Sequence, residues 1–514
     1  MQHASPPRSV GADLWLRLEH ACDALCGSAA NPLRHLGPLA FLSFWLLAVT
    51  GAILYAALDT SATGAYASIT DLSRQPWYQG GWLRSLHRYA ADAFIVLMLA
   101  HLVREWMLGR FRAFRRFSWL TGLPLLPMGL VCAIGGFWLH WDRLGQFSAL
   151  ASAEWLDALP LFATPLTRNF IHVENVSDRL FSLLVFVHIG VPLLAVFASW
   201  FHIQRLAQAA VFPPRAATLA LTASLVAASI LLPVPIQGAA DLASMPASLS
   251  FDWWLLFLHP ATEATSAPFT WGVTAVVLAA LFALPWLPTR QRTAPVARVD
   301  AANCNGCRRC FDDCPYAAVT MAPHPQRQAR EIAVVNADQC ASCGICVGAC
   351  PSSTPFRSVA ELVTGIDMPS RPLDTLRVEL NDKLAALGHG PRLVVVGCER
   401  GAEVGSLASD EVAVLSLTCT GMLPPAFVEY ALRAGADGVL VTGCRDGGCE
   451  FRLGSRWTAE RLEGRREPHL RTQVPRERLA TVWADAGQLS SVNAALTELR
   501  ERVAALPARA QETA

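Results

Sequence analysis

Charge is scarce in this chain. Asp, Glu, Lys and Arg make up 16% of its 514 residues, while 53% are hydrophobic, a balance that excludes an ordinary soluble protein and, at this length, a single domain. Part of the chain must lie in a membrane. The net charge is only +1, and with no basic, aromatic-interleaved patch nothing calls for a nucleic-acid partner. A Gly-x-Gly-x-x-Gly fingerprint is absent, so nicotinamide or flavin chemistry would need another subunit. Also missing is any Cys-x-x-Cys-His run, the attachment signal of c-type haem. Residues 1–36 lack an apolar core followed by a small-residue cleavage site, and are expected to stay in the cytoplasm as an N-terminal segment.

Apolar stretches at 37–58, 83–108, 119–141, 179–204, 216–235 and 270–288 are each long enough to cross a bilayer. Six crossings predict an all-α transmembrane bundle over 37–288 and return the chain to its starting side. Arg110, Arg112, Arg115 and Arg116 follow the second stretch, Arg205 and Arg215 the fourth, and Arg290, Arg292 and Arg298 the sixth. The loop 142–178 instead carries Asp142, Glu154, Asp157 and Glu174, and the loop 236–268 has no Lys or Arg. This asymmetry puts both termini in the cytoplasm of a bacterial-type inner membrane.

Within the bundle, His87 and His101 lie on the second span and His188 and His202 on the fourth, each pair fourteen residues apart. Fourteen residues are nearly four turns and about 21 Å of rise, so both histidines of a helix share a face at two depths. The two spans run in the same direction. His87 therefore meets His188 near the outer side and His101 meets His202 near the inner side, the ligand pattern of two stacked b haems. Gly37 and Gly51 on the first span, and Gly122 and Gly136 on the third, repeat the interval of fourteen. Positions without a side chain would let a flat macrocycle approach the backbone.

The chain has 15 cysteines, and eight of them form two Cys-x-x-Cys-x-x-Cys-x-x-x-Cys-Pro runs just past the last span. In such runs the fourth cysteine ligates the other cluster. One [4Fe-4S] cluster is thus assigned to Cys304, Cys307, Cys310 and Cys350, and a second to Cys340, Cys343, Cys346 and Cys314. Structural zinc would not explain the doubled run or the proline after each fourth cysteine. Thiols that hold metal must stay reduced, which again indicates the cytoplasm.

A short linker, PTRQRTAPVAR, joins the last span to this α+β ferredoxin-like domain at 298–358. The insert between Cys314 and Cys340 predicts a hairpin through VTMAPH and REIAVV. Further on, LVVVGC, VAVLSLTC and GVLVTGC read as buried parallel strands, with FVEYALRAGA as a helix between two of them. They mark an α/β domain at 390–514, whose last stretch, QLSSVNAALTELRERVAAL, has helical periodicity. In an open α/β sheet, residues past the carboxyl ends of the strands converge. Cys398, Cys419, Cys444 and Cys449 are expected to meet there, as ligands of a [2Fe-2S] cluster or of zinc.

Three resemblances add to this reading. The stretch GWLRSLHRYAADAFIVLMLAHLVREWMLGRFR, the segment FWLHWDRLGQF after Gly136 and HIGVPLLAVFASWFH with Pro192 resemble cytochrome b of the quinol-oxidising membrane complexes, over about residues 30–210. That resemblance implies a quinone or quinol partner and a haem-propionate role for Arg84, with Arg88 close by. The sequence departs from the family at His140, where the family has a proline, and at Asp92, where a small polar residue is expected. Phe251-Asp252-Trp253-Trp254 stands where a Pro-Glu-Trp-Tyr signature would fall. As polar groups at membrane depth, or in place of the family's glutamate, Asp92, His140 and Asp252 are the candidates for quinol proton chemistry.

The cysteine runs resemble two-cluster ferredoxins. VVGCERG and LTCTGMLPPAFVEYALRAGADGVLVTGCRDGGC resemble the delta subunit of methyl-viologen-reducing hydrogenase, which implies [2Fe-2S] rather than zinc. It also implies a cytoplasmic flavin-containing or heterodisulfide-reductase-like partner. A cysteine that the family often carries after the first is replaced here by Glu399, Arg400 and Gly401. The expected protein is a membrane oxidoreductase subunit exchanging electrons between quinone and that partner, with homodimerisation left open. The alternative is an electron-conducting anchor without a quinone site.

Overall fold

The computed structural model describes all residues except 1–8, 29, 161–164, 166–170, 172–175, 245–247, 289–294, 358–360, 389, 446 and 507–514. Glu174, Arg290, Arg292 and most of the linker after the last span lie outside the described residues. The chain forms two compact units, Ser9–Gln204 with Ala209–Pro288, and a second built mainly on Thr289–Ala514.

The first unit is helical. Among the described residues, five segments are long and apolar enough to cross a membrane: Leu36–Ala57, Leu83–Met107, Ala113–His140, Asp178–Ile203 and Ala267–Trp286. The third is made of the helices Arg116–Gly122 and Leu125–His140, parted near Pro124, whose ring cannot supply a helical N–H. The sixth expected crossing, at 216–235, contains the shorter apolar helix Arg215–Leu231 of 17 residues, about 26 Å of rise against a hydrocarbon core of about 30 Å. Pro233 and Pro235 end it, because the residue before a proline avoids the helical region. Leu232, at φ −130°, turns the chain out of the helix.

The segment that follows straps onto the His87 helix. Tyr89 donates to the Leu232 carbonyl at 2.7 Å and Ser85 Oγ accepts from the Val234 amide at 3.0 Å. The N-terminal helix Val10–Cys26 is tied down by buried charges. Arg34 and Arg104 both pair with Glu19, at 3.6 and 2.8 Å, and Arg34 also pairs with Asp23 at 2.7 Å.

Among its described residues the second unit has three small sheets. Strands β1 (Arg298–Val299) and β4 (Ile366–Asp367) pair antiparallel, as do β2 (Val319–Pro323) and β3 (Glu331–Val335). The latter pair is the hairpin expected between Cys314 and Cys340. Strands β5 (Leu393–Cys398), β6 (Val412–Leu417), β7 (Gly438–Gly443) and β8 (Leu479–Trp483) form a parallel sheet in the order β6-β5-β7-β8. Their near-continuous apolar runs suit strands covered on both faces. Leu393, Val395 and Leu440 are fully buried against Val492, Leu496 and Leu499 of the C-terminal helix Leu489–Ala504. Strand β8, LATVW, is short and apolar but for Thr481, and lies outside the three strands expected from the sequence.

Candidate functional site: histidine pairs, cysteine groups and a polar cluster

The rings of His87 and His188 face each other with centroids 6.4 Å apart. Two imidazoles binding one iron at about 2 Å from each nitrogen stand at such a separation. The glycines have a more specific task than macrocycle clearance. A Cβ at Gly51 would stand 3.1 Å from His87 Cε1, at Gly37 3.5 Å from His101, at Gly136 3.3 Å from His188 and at Gly122 2.8 Å from His202. Each expected ligand thus packs its imidazole edge onto one of the four glycines.

The same arrangement orients the rings. One turn before the glycine, the carbonyls of Leu47, Cys132 and Ser118 hydrogen-bond His87, His188 and His202. Thr50 Oγ1 lies 2.9 Å and Thr121 Oγ1 3.4 Å from the Nδ1 atoms of His87 and His202. Holding Nδ1 in this way fixes the tautomer and leaves Nε2 for a metal. Pro192 cannot donate to the His188 carbonyl one turn earlier, and the Cys132 thiol donates to it instead, at 3.5 Å. The four histidines and four glycines therefore fit two b haems.

The cysteine runs fold as two similar loops. Left-handed residues recur at equivalent places, Gly306 (φ 70°) and Arg308 (φ 65°) in one, Ser342 (φ 55°) and Gly344 (φ 76°) in the other. Such turns aim successive backbone N–H groups into a concavity suited to an anionic cluster. Cys304, Cys307, Cys310 and Cys350 line one cavity. Burial pushes the Cys310 thiol up to about 12, with Cys350, Cys307 and Cys304 adding to the rise. Burial also raises Cys346, whose further neighbours are led by Cys343, Cys314 and Cys340. The fourth cysteine of each run thus lies with the first three of the other. Among the described residues no three His, Cys, Asp or Glu side chains close on a single ion.

Cys398 ends β5, Cys444 follows β7, and Cys419 lies two residues past β6. Cys398 Sγ and Cys444 Sγ are 4.0 Å apart. Cys419, Cys444 and the Ser455 and Phe451 amides are the polar neighbours of Cys449. Gly454 makes the close approach possible, since a Cβ there would lie 2.2 Å from Cys419 Sγ. All four are buried and fit a compact iron–sulfur site.

The expected proton residues fall into two neighbouring groups. Arg88 pairs with both Asp92 and Asp252, and its guanidinium lies over the Phe137 ring at 5.5 Å. Asp252 also accepts from the Leu255 amide at 2.9 Å. His140 stacks on Tyr66, with centroids 5.6 Å apart, and its Nδ1 is 3.6 Å from Asp142. Its Nε2 is buried without a hydrogen-bond partner among the described residues. Arg84 donates to the Val234 carbonyl at 3.0 Å and lies within electrostatic reach of Asp142 and Arg88. Sequence reasoning missed Tyr66 and Asp142 as site residues, although the negative loop had drawn attention to Asp142.

Comparison with known proteins finds three family matches along the chain. Residues 22–210 match the family model of cytochrome b/b6/petB, 303–354 the 4Fe-4S dicluster domain, and 401–507 the delta subunit of methyl-viologen-reducing hydrogenase. Cytochrome b6 of Heliobacterium mobile is 28% identical over 162 residues, 31% of this chain and 76% of that protein. A solved structure of a hyperthermophilic respiratory complex III aligns with a TM-score of 0.39 at 18% identity, covering 49% of this chain and 75% of that one. The chain is a fusion resembling these three families, a membrane protein of oxidoreductase type that transfers electrons.

Proposed function

We propose that this chain passes electrons between the quinone pool and a cytoplasmic redox partner. The observation that carries the reading is the coexistence, in one polypeptide, of glycine-backed histidine pairs and three cysteine groups. Two b haems, two [4Fe-4S] clusters and one [2Fe-2S] cluster would supply one-electron chemistry on these ligands. His87 with His188, and His101 with His202, would hold the haems. Cys304, Cys307, Cys310 and Cys350 would hold one cubane, and Cys340, Cys343, Cys346 and Cys314 the other. Cys398, Cys419, Cys444 and Cys449 would hold the third cluster. The domains follow as 1–36, 37–288, 298–358 and 390–514, with both termini cytoplasmic and a flavin-containing or heterodisulfide-reductase-like protein as partner.

Quinol oxidation releases two protons, and His140 is the first candidate acceptor. Its Nε2 is buried and has no hydrogen-bond partner among the described residues, while Asp142 and Tyr66 hold the ring. Asp92 and Asp252 are secondary, because Arg88 engages both. That engagement favours a second reading, in which the bundle conducts electrons for a cytoplasmic complex and has no quinone site. Addition of a quinol to the purified chain separates the two: haem reduction that His140→Leu blocks supports the first, and no reduction without a soluble partner supports the second.

A further inference from the structure

The helix Gly454–Leu462 touches two cysteine groups at once. Its first residue, Gly454, lies against one group, since a Cβ there would stand 2.2 Å from Cys419 Sγ and 3.6 Å from Cys449 Sγ. Its last turn presents Arg461, which is 1% exposed and donates to the Gly421 carbonyl at 3.1 Å and to the Asp313 carboxylate. Gly421 lies two residues past Cys419, and Asp313 immediately precedes Cys314. The other Asp313 oxygen accepts from Arg466 at 2.5 Å, and the Arg466 guanidinium covers the Trp457 ring at 4.2 Å. Ile345, next to Cys346 and fully buried, fills the seam against Gly421 and Gly454. Cys343, on the same loop, is an electrostatic neighbour of both Cys419 and Cys449.

A buried guanidinium is costly unless negative charge surrounds it. Asp313 accounts for one neighbour, yet that carboxylate already takes Arg466, and Cys419 also acts on Arg461. Thiolate-ligated clusters gain negative charge on reduction, and nearby charge and hydrogen bonding set their potentials. We propose that Arg461 is a positioning residue that holds up the reduction potentials of the two iron–sulfur sites flanking it, those of Cys314 and Cys419. Asp313 opposes it from the Cys314 side. This rests on the reading of those cysteines as cluster ligands.

The test is a redox titration of the purified full chain followed by electron paramagnetic resonance, after iron and acid-labile sulfide have been counted. Arg461→Met should lower at least one iron–sulfur midpoint, Asp313→Asn should raise one, and Arg461→Lys should stay close to the parent. Midpoints that do not move, or that move the same way in both charge-removing variants, overturn the proposal. If Arg461→Met fails to load iron, Asp313→Asn decides alone, and an unmoved or lowered midpoint overturns the proposal. A parent protein that lacks iron at the Cys419 group would overturn the cluster reading itself.

Discussion

At the residue scale, Gly122 and Cys314 carry the sharpest consequences. A side chain at Gly122 must displace His202, whose Cε1 would be 2.8 Å from the new Cβ. Gly122→Val is expected to lose one of two haems, read as half the parent's pyridine haemochrome per chain, with cluster iron retained. Cys314→Ser should remove the cubane of Cys340, Cys343 and Cys346 while the Cys304 cluster remains, so about four of about ten cluster irons disappear. Loss of the Cys304 signals instead would reverse the crossed assignment.

His259 gives a pH prediction. It is 3% exposed, its Nε2 lies 3.1 Å from Ser148 Oγ, and burial lowers it to about 4. The folded state thus holds the neutral ring while an unfolded chain would protonate near the ordinary value of 6.5. Its contribution is present above that pH and is lost as pH falls from there toward 4. His259→Gln should flatten the pH dependence of the detergent-solubilised protein's thermal midpoint in this window, and an unchanged slope would contradict the assignment.

At the scale of elements, the long apolar helices were readable because their hydrophobic runs exceed the bilayer length. At 216–235 the apolar composition continues past Leu231, while two prolines stop the helix there. Periodicity gave the three strands that end at or just before a cysteine, and missed the short β8, which no cysteine marks. The histidines and cysteine runs were legible from spacing. Tyr66, Asp142, Arg461 and Asp313 were not, since ordinary polar residues become site residues only through distant contacts.

The helix Gly454–Leu462 shows what such contacts do. Gly454→Val would drive a side chain into Cys419, and should cost the third cluster's iron while both cubanes remain. Leu440→Ala, at a fully buried position of β7, should instead destabilise the domain by about 2–5 kcal/mol, seen as a lower denaturation midpoint with cluster content unchanged in native buffer.

At the scale of the whole molecule, moving an electron from one side of the membrane to the other couples chemistry to the membrane potential, at about 2.3 kcal/mol per 100 mV. The central claim is that the chain itself exchanges electrons with quinone. The direct measurement is anaerobic addition of a quinol to the purified chain while haem b absorbance is recorded. The account predicts reduction of both haems without any added protein, and its loss in His140→Leu. Haems that dithionite reduces but quinol leaves oxidised would contradict it.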